Sequence, residues 1–366
     1  MSAAQSDVIT IDIHGHVVPA SIVGHAGTYG PEIYRDDAGN AILKIGSYSI
    51  IGEGLIDGPF QVPELRLAEM DAVGVDILGV SITPLLLLYW LTPEEGAHWC
   101  RIVNDSMAEY CAADPDRLFF LPTLPLQDIE ASIVELERAT ALGGRGIYIG
   151  SEACGKPLSD EYFWPLYAKA EATGTPILIH PYPVGQDGDP GAEKDGETHD
   201  WSKDALMAWM AGYLHQETLA VASLLLSGVF DEFPGLKFSV THGGGAVPYQ
   251  FGRFEQLTLK GSDNGTVSKP KAKQPLRNYL KNLTFDCVVH DPKARQYLVD
   301  FAGPEGVLIG SNFGGWDGVN GVDYIRELGL PADQERKILC DNAAELFGLQ
   351  DKVANLQARV AVAERK

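Results

Sequence analysis

Two histidines, His14 and His16, stand two residues apart at the end of an apolar run near the start of the chain. In a β-strand, side chains at positions i and i+2 point to the same face. A strand over residues 8–14 would therefore present Asp12, His14 and His16 on one side. Two imidazoles that converge at a strand end form half of a transition-metal site. A pair of surface or core histidines is the alternative, and the other histidines of the chain argue against it.

Further candidate ligands stand where other apolar segments end. His180 and His242 each end a short β-branched run, and Asn312 ends another. Four of the nine histidines therefore follow predicted strands. If the strands are parallel, these side chains meet at the carboxyl ends of the sheet, which is the catalytic face of barrel enzymes.

Strand-like and helix-like segments alternate along the whole chain. We predict strands over residues 8–14, 75–82, 118–124, 146–150, 176–180, 237–242, 282–287 and 306–310. We predict helices over residues 62–72, 93–113, 129–141, 161–172, 217–230, 248–259, 292–301 and 333–347. Eight strands, each followed by a helix, predict an α/β fold, a (β/α)8 TIM barrel. A doubly wound open sheet is the alternative.

Two stretches interrupt this alternation, and both follow predicted strands. We expect a single catalytic domain over residues 1–350, with loop insertions near 21–59 and 184–215 at the catalytic face. The second stretch begins acidic and glycine-rich, so a solvated loop is an alternative interpretation. Residues 351–366 carry apolar positions at near-helical spacing and are predicted to form a C-terminal helical tail.

The composition restricts the partners. A formal net charge of -22 argues against nucleic acid or an anionic membrane, but not against a small carboxylate bound in a local field. The start of the chain lacks the pattern of a signal peptide, and no apolar run is long enough to span a bilayer. The five cysteines form no CxxC pair. This usage is typical of reduced thiols in a cytoplasmic protein.

The sequence resembles the amidohydrolase superfamily, and within it the metal-dependent decarboxylase branch that includes 2-amino-3-carboxymuconate-6-semialdehyde decarboxylases. The likeness covers most of the chain, and the His-Gly-Gly-Gly run with an arginine eleven residues on is specific to this branch. The motifs that carry the likeness are Ile11-Asp12-Ile13-His14-Gly15-His16, Arg66-Leu67-Ala68-Glu69-Met70-Asp71, Tyr89-Trp90, Thr123-Leu124-Pro125-Leu126-Gln127, His242-Gly243-Gly244-Gly245-Ala246-Val247-Pro248-Tyr249 with Gly252-Arg253, and Val289-His290-Asp291-Pro292.

The resemblance implies a set of roles for these residues. His14, His16 and His180 would bind one divalent metal, zinc in the first place and manganese as the second possibility. His242 would be a general acid/base beside the metal-bound water. Arg253 would hold a substrate carboxylate and would reach into the site of a neighbouring subunit, which implies a homodimer or a higher homo-oligomer.

Asn312 departs from the family pattern, in which aspartate follows strand eight. Asparagine can ligate a metal through its amide oxygen but cannot accept a proton. Three explanations stay open: Asn312 is a natural variant ligand or donor, Asp317 takes over the role beyond the flexible Gly314-Gly315 pair, or aspartate has been replaced by design to trap a complex. We keep Asn312 as a candidate for both the metal site and catalysis.

The substrate side also departs from the close decarboxylases, because residues 43–60 contain no arginine. A second substrate carboxylate is therefore not expected to be recognised in the usual way. Aromatic side chains near predicted strand ends and the second insertion could stack on a planar acid. The candidates for substrate contact are Tyr89, Trp90, Tyr182, Trp201, His215 and Trp316.

These observations predict a metal-dependent, non-oxidative decarboxylase of a small aromatic, heteroaromatic or muconate-like carboxylic acid. The first alternative is a hydrolase or hydratase that acts on an aromatic or ring-cleavage substrate with the same metal. The second is a catalytically inactive metal-binding or scaffold relative, which Asn312 brings into consideration.

Overall fold

The computed structural model describes residues 8–182, 207–259 and 270–363. Its centre is a set of eight short parallel strands, all buried. They are β1 (Ile11–Val17), β2 (Ile77–Ile82), β3 (Leu118–Phe120), β4 (Ile147–Gly150), β5 (Ile177–His180), β6 (Phe238–Val240), β7 (Leu283–Asp286) and β8 (Val307–Leu308). Each lies within one of the predicted strands or overlaps it.

The eight strands close into a barrel. Parallel ladders join β1 to β2 and β2 to β3. A second series of parallel ladders joins β4 through β8 in sequence order. Two isolated parallel bridges complete the ring: Thr123 pairs with Tyr148, and Asp12 pairs with Ile309 beside β8. The predicted (β/α)8 barrel is confirmed, and the open sheet is wrong because the last strand returns to the first.

A helix follows each barrel strand. The helices are α1 (Pro63–Val73), α2 (Pro93–Cys111), α3 (Ile129–Ala141), α4 (Trp164–Thr173), α5 (Tyr213–Ser227), α6 (Val247–Leu259), α7 (Pro292–Ala302) and α8, which continues through Ala332–Arg336, Lys337–Asp341 and Asn342–Phe347. Several of these helices begin at a residue whose side chain caps the first turn. Thr92 forms a capping box with Glu95 at α2, and Asp128 accepts the Ala131 N–H at α3.

The first predicted insertion contains a small antiparallel sheet of its own, formed by Glu32–Arg35, Ala41–Ile45 and Tyr48–Ile51. The sequence analysis did not predict these strands, because glycines and polar residues obscure their alternation. Of the second insertion, predicted near 184–215, residues 184–206 lie outside the described residues, and residues 207–215 are helical.

The predicted helical tail is present as α9 (Gln350–Ala363). Leu356 is buried, and Asn355 donates a hydrogen bond to Asp116 at 2.8 Å. The tail therefore packs on the amino-terminal side of β3, at the end of the barrel away from the histidines. No helix among the described residues combines the length and the apolar character needed to cross a bilayer.

The three glycines after β6 make a turn that other residues cannot adopt without strain. Gly243, Gly244 and Gly245 have φ values of 63°, 74° and 61°. A Cβ on Gly245 would lie 2.2 Å from the Leu214 carbonyl oxygen. The turn therefore brings β6 against the start of α5 with no space for a side chain.

We expect Gly245→Ala to lower the free energy of unfolding by about 1–3 kcal/mol, because it combines a left-handed backbone with a steric clash. Gly252→Ala is the matched control. Gly252 lies in α6, and a Cβ there meets nothing within 4 Å, so this variant should gain up to about 1 kcal/mol from helix propensity. Urea unfolding followed by circular dichroism measures both, and equal effects would contradict the strain argument.

Candidate metal centre and active site

Three histidine side chains converge at the carboxyl end of the barrel. His14 and His16 lie on β1, and His180 is the last residue of β5. Their ring centroids are 4.9–5.1 Å apart. One nitrogen from each ring lies within 4.8 Å of the other two, and all three side chains are buried. The barrel thus brings His180 next to His16 and His14, which precede it in the sequence by 164 and 166 positions.

Each of these imidazoles is held through its Nδ1 atom. The partners are the Asp286 carboxylate at 2.7 Å for His14, the Ser81 hydroxyl at 3.2 Å for His16 and the Pro181 carbonyl at 2.5 Å for His180. The Nε2 atoms of His14 and His180 are buried and have no partner among the described residues. This is the arrangement of metal-ligating histidines, in which a hydrogen bond at Nδ1 fixes the orientation of the ring and Nε2 is left for the ion.

The protonation states also suit a metal. Burial, together with the neighbouring imidazoles, holds the pKa values of His16 and His180 well below the usual range. Both rings are therefore neutral near pH 7, as ligands must be. Asp12 lies outside the cluster and accepts the His14 backbone N–H at 2.8 Å. Burial raises the pKa of Asp12 to about 6. A divalent metal fits the three-histidine site.

Asp286 is a site residue that the sequence analysis missed. It ends β7 and is fully buried. One of its oxygens accepts from His14, and the other accepts the backbone N–H groups of Gly243 and Val288 at 3.1 Å each. Gly310 makes room for it, because a Cβ there would lie 2.6 Å from the carboxylate. Its position at the end of a predicted strand was the signal that could have identified it.

His242 lies beside the three histidines but is held differently. Its ring centroid is 5.2 Å from that of His14 and 5.1 Å from that of His180. Its backbone is in the left-handed region, with φ of 48°. Its Nδ1 lies 2.9 Å from a carboxylate oxygen of Glu217 on α5. Burial alone would lower the pKa of His242, but the charge and hydrogen bond of Glu217, together with the charges of Asp286 and Asp317, outweigh burial and raise the pKa to about 9.

Glu217 is a second residue that the sequence analysis missed. It is fully buried and accepts a hydrogen bond from the Thr241 hydroxyl at 2.6 Å as well as facing His242. A carboxylate on the buried face of an amphipathic helix is rare unless it has partners. That placement was the available signal, but the partners follow 24 and 25 residues later in the sequence.

Asn312 occupies the position after β8, also with a left-handed φ of 51°. Its Nδ2 donates to Asp317, which lies outside the three-histidine cluster. Its Oδ1 is buried and has no hydrogen bond of normal geometry to a described residue. The amide nevertheless lies close enough to His16 to act against the lowering of the pKa of that ring.

The predicted substrate contacts divide into buried and exposed groups. Tyr89 and Tyr182 are buried and pack edge to face at 5.5 Å, and the Tyr89 hydroxyl accepts the Gly150 N–H. Trp90 packs against Tyr29. Trp316 is 62% exposed and stacks on Trp209 at 4.3 Å, and His215 is exposed on α5. Trp201 lies outside the described residues.

Arg253 is exposed on α6 and makes no ion pair within the described part of the chain. Three large apolar side chains of this helix, Tyr249, Leu257 and Leu259, are 79%, 57% and 80% exposed. Within one copy of the chain, the structure does not bring Arg253 into the histidine cluster. Its role as a substrate ligand stays a prediction.

A profile of the family described as amidohydrolase matches residues 11–349 of the chain. The chain is 30% identical to a 2-amino-3-carboxymuconate-6-semialdehyde decarboxylase of Dictyostelium discoideum over 314 residues, which cover 83% of this chain and 81% of that protein. It is 31% identical to a 2-keto-4-carboxy-3-hexenedioate hydratase of a Sphingobium strain over 284 residues, with 71% and 74% coverage.

Among solved structures, the chain is similar to a 5-carboxyvanillate decarboxylase of Novosphingobium aromaticivorans, with a TM-score of 0.74 and 21% identity. The match covers 95% of this chain and 99% of that protein. That structure is an aspartate-to-asparagine mutant with bound manganese and 3-methoxy-4-hydroxy-5-nitrobenzoic acid. At this level of identity the likeness supports the barrel fold.

We expect the protein purified without chelator to hold about one divalent ion per chain, and His180→Ala to hold far less because a ring with a free Nε2 is lost. His98→Ala is the control, since His98 is exposed on α2 away from the cluster. Elemental analysis of the gel-filtered proteins measures the ion directly. Full metal content in His180→Ala would contradict the proposed ligand set.

Proposed function

The chain belongs to the amidohydrolase family, and we propose that it is a metal-dependent, non-oxidative decarboxylase of a small aromatic, heteroaromatic or muconate-like carboxylic acid. One observation supports this proposal more strongly than any other. The imidazoles of His14, His16 and His180 converge on one point, and the buried Nε2 atoms of His14 and His180 have no partner among the described residues. A fourth imidazole, that of His242, is held by Glu217 and lies beside them. The decarboxylases among the relatives support the same reaction class.

His14, His16 and His180 would hold the ion, which we propose to be zinc, with manganese as the alternative. Imidazole ligands suit zinc, and an added amide oxygen is also compatible with manganese. When bound, the ion would supply a Lewis acid that holds substrate oxygens and draws electron density from the bond to the leaving carboxylate.

His242 would supply the proton. In decarboxylation the carbon–carbon bond to the carboxylate breaks, the electron pair stays on the substrate carbon, and a new C–H bond forms there. Glu217 stabilises the protonated imidazole through a contact of 2.9 Å, so His242 carries the proton that this step consumes. The left-handed backbone of His242 directs the ring toward the histidine cluster rather than into the turn.

Asn312 favours decarboxylation over hydrolysis. A hydrolase of this family needs a carboxylate at this position to accept a proton from water, and an amide cannot do so. Water addition is the second candidate function, because the Sphingobium hydratase is 31% identical to this chain and the Dictyostelium decarboxylase is 30% identical.

We further propose that the chain forms a homodimer in which Arg253 reaches the site of the partner. The exposed guanidinium and the exposed apolar residues on the same helix support this arrangement, since a second copy would cover them. A planar guanidinium matches the carboxylate of the substrate. We propose a cytoplasmic location, which the five free cysteines support.

Turnover of candidate aromatic and muconate-like acids in D2O separates the two reactions. A decarboxylase releases CO2 and leaves one deuterium on the carbon that held the carboxylate, whereas a hydratase adds the mass of water and releases no gas. We expect the first result. Mass spectrometry of the product and an infrared assay of CO2 give the answer, and a product heavier by one D2O would favour the hydratase.

His242→Gln should lower the rate of CO2 release at least about 100-fold, because it removes the proton donor. Its metal content should stay near that of the parent, since His242 is not among the three proposed ligands. His98→Gln serves as the control for loss of a histidine. Activity within a few-fold of the parent would remove His242 from the mechanism.

Mixing two inactive variants tests Arg253. Arg253→Ala lacks the guanidinium and His180→Ala lacks a metal ligand, but a dimer with one chain of each has one complete site if Arg253 acts across the interface. After subunit exchange, about a quarter of the parental activity should return. Activity that does not rise above that of the separate variants would contradict the proposal that Arg253 acts across the interface.

A further inference from the structure

The loop after β8 folds back so that the side chains of Asn312 and Asp317 meet. The Asn312 carbonyl accepts the Gly315 N–H at 2.8 Å, which closes a tight turn between them. Gly315 is required for this contact, since a Cβ there would lie 2.0 Å from the Asn312 Oδ1 atom. Asparagine tolerates the left-handed backbone that the turn imposes on residue 312.

The hydrogen bond between the two side chains fixes which way the amide points. A carboxylate can only accept, so the Nδ2 of Asn312 must face Asp317. The amide oxygen then points away from Asp317, and it is buried without a normal hydrogen bond to any described residue. An unpartnered buried oxygen is costly in the absence of a ligand. The backbone places Asn312 beside the histidines of β1, because the next residue, Phe313, donates to the His14 carbonyl at 3.1 Å and accepts the His16 N–H at 2.7 Å. The amide also acts on the pKa of His16.

Asp317 itself lies one layer further out. Its side chain is 45% exposed, and its second oxygen lies 3.4 Å from the Nε2 atom of His290. His290 is in turn placed by the Tyr324 hydroxyl at 3.2 Å. His290, which precedes α7, therefore holds one oxygen of Asp317, while the other oxygen accepts from the amide of Asn312.

We propose that Asn312 and Asp317 share the task that one aspartate performs elsewhere in the family: Asn312 presents an oxygen to the metal, and Asp317 orients that amide and supplies the negative charge. Asp317 is thus a positioning residue. The inference depends on the metal centre of the proposed function. An amide carries no charge, so Asp317 would place a carboxylate directly behind this ligand, as Asp286 does behind His14.

Metal titration of the full-length, metal-free protein tests the pair. Zn²⁺ and Mn²⁺ are each titrated against a chelator of known affinity into the parent, Asp317→Asn and Asp317→Ala. Asp317→Asn can still accept from Asn312 but has no charge, whereas Asp317→Ala loses both functions. We expect each variant to bind at least about 10-fold more weakly. Asp323→Asn is the control, because it removes an exposed charge nearby that does not contact Asn312.

The exchange variant Asn312→Asp/Asp317→Asn gives the sharper test. It places the carboxylate inside and the amide outside with the hydrogen bond reversed, so its metal affinity should return to the parental value or exceed it. Asn312→Asp alone would put two carboxylates in contact. Its metal-free form should therefore unfold at a lower temperature than that of the exchange variant.

The outcomes separate the two proposals. A parent protein that binds neither ion would overturn the metal centre and this inference with it. If the parent binds and the Asp317 variants match Asp323→Asn, the centre stands and the pair is rejected. If the Asp317 variants bind weakly but the exchange variant is no better, Asp317 acts through something other than Asn312, and the inference is also rejected.

Discussion

The contact between His14 and Asp286 is the interaction on which the active end of the barrel depends. Both side chains are fully buried, so neither could be left alone without a large desolvation cost. The carboxylate also binds the turn after β6 through the Gly243 N–H. One residue thereby connects β1, β7 and the β6 turn, and it sets the imidazole so that Nε2 faces the cluster. The absence of a side chain on Gly310 is what allows β8 to pass beside it.

The four clustered histidines have two different environments, and the proposed division between metal binding and proton transfer rests on this difference. The cluster of His14, His16 and His180 is held by one carboxylate, a hydroxyl and a backbone carbonyl. His242 faces Glu217 and carries a proton. Residues of one type, within about 5 Å of each other, thus have their pKa values shifted in opposite directions according to what lies behind them: downward for His16 and His180, upward for His242.

Arg66 shows how residues outside the cluster hold the clustered histidines in place. It is fully buried on α1, and its Nη2 donates to the carbonyl of His16 at 3.0 Å. Its guanidinium also lies over the ring of Phe313, directly after Asn312. A single cation therefore ties the end of β1 to the loop after β8. These are the two segments that approach the centre from adjacent strands.

The sequence by itself determined the order of strands and helices, the closed barrel, and the convergence of His14, His16, His180, and His242. The alternation of apolar segments and the placement of histidines at their ends are local properties. The tertiary structure decided which residues support those histidines. Asp286 is 272 positions from His14, and Glu217 precedes His242 by 25. Such partners depend on barrel closure and on a single glycine turn. Their positions at a strand end and on a buried helix face mark them as unusual, but they do not say which histidine each will contact, because the chain sets those pairs only when it folds.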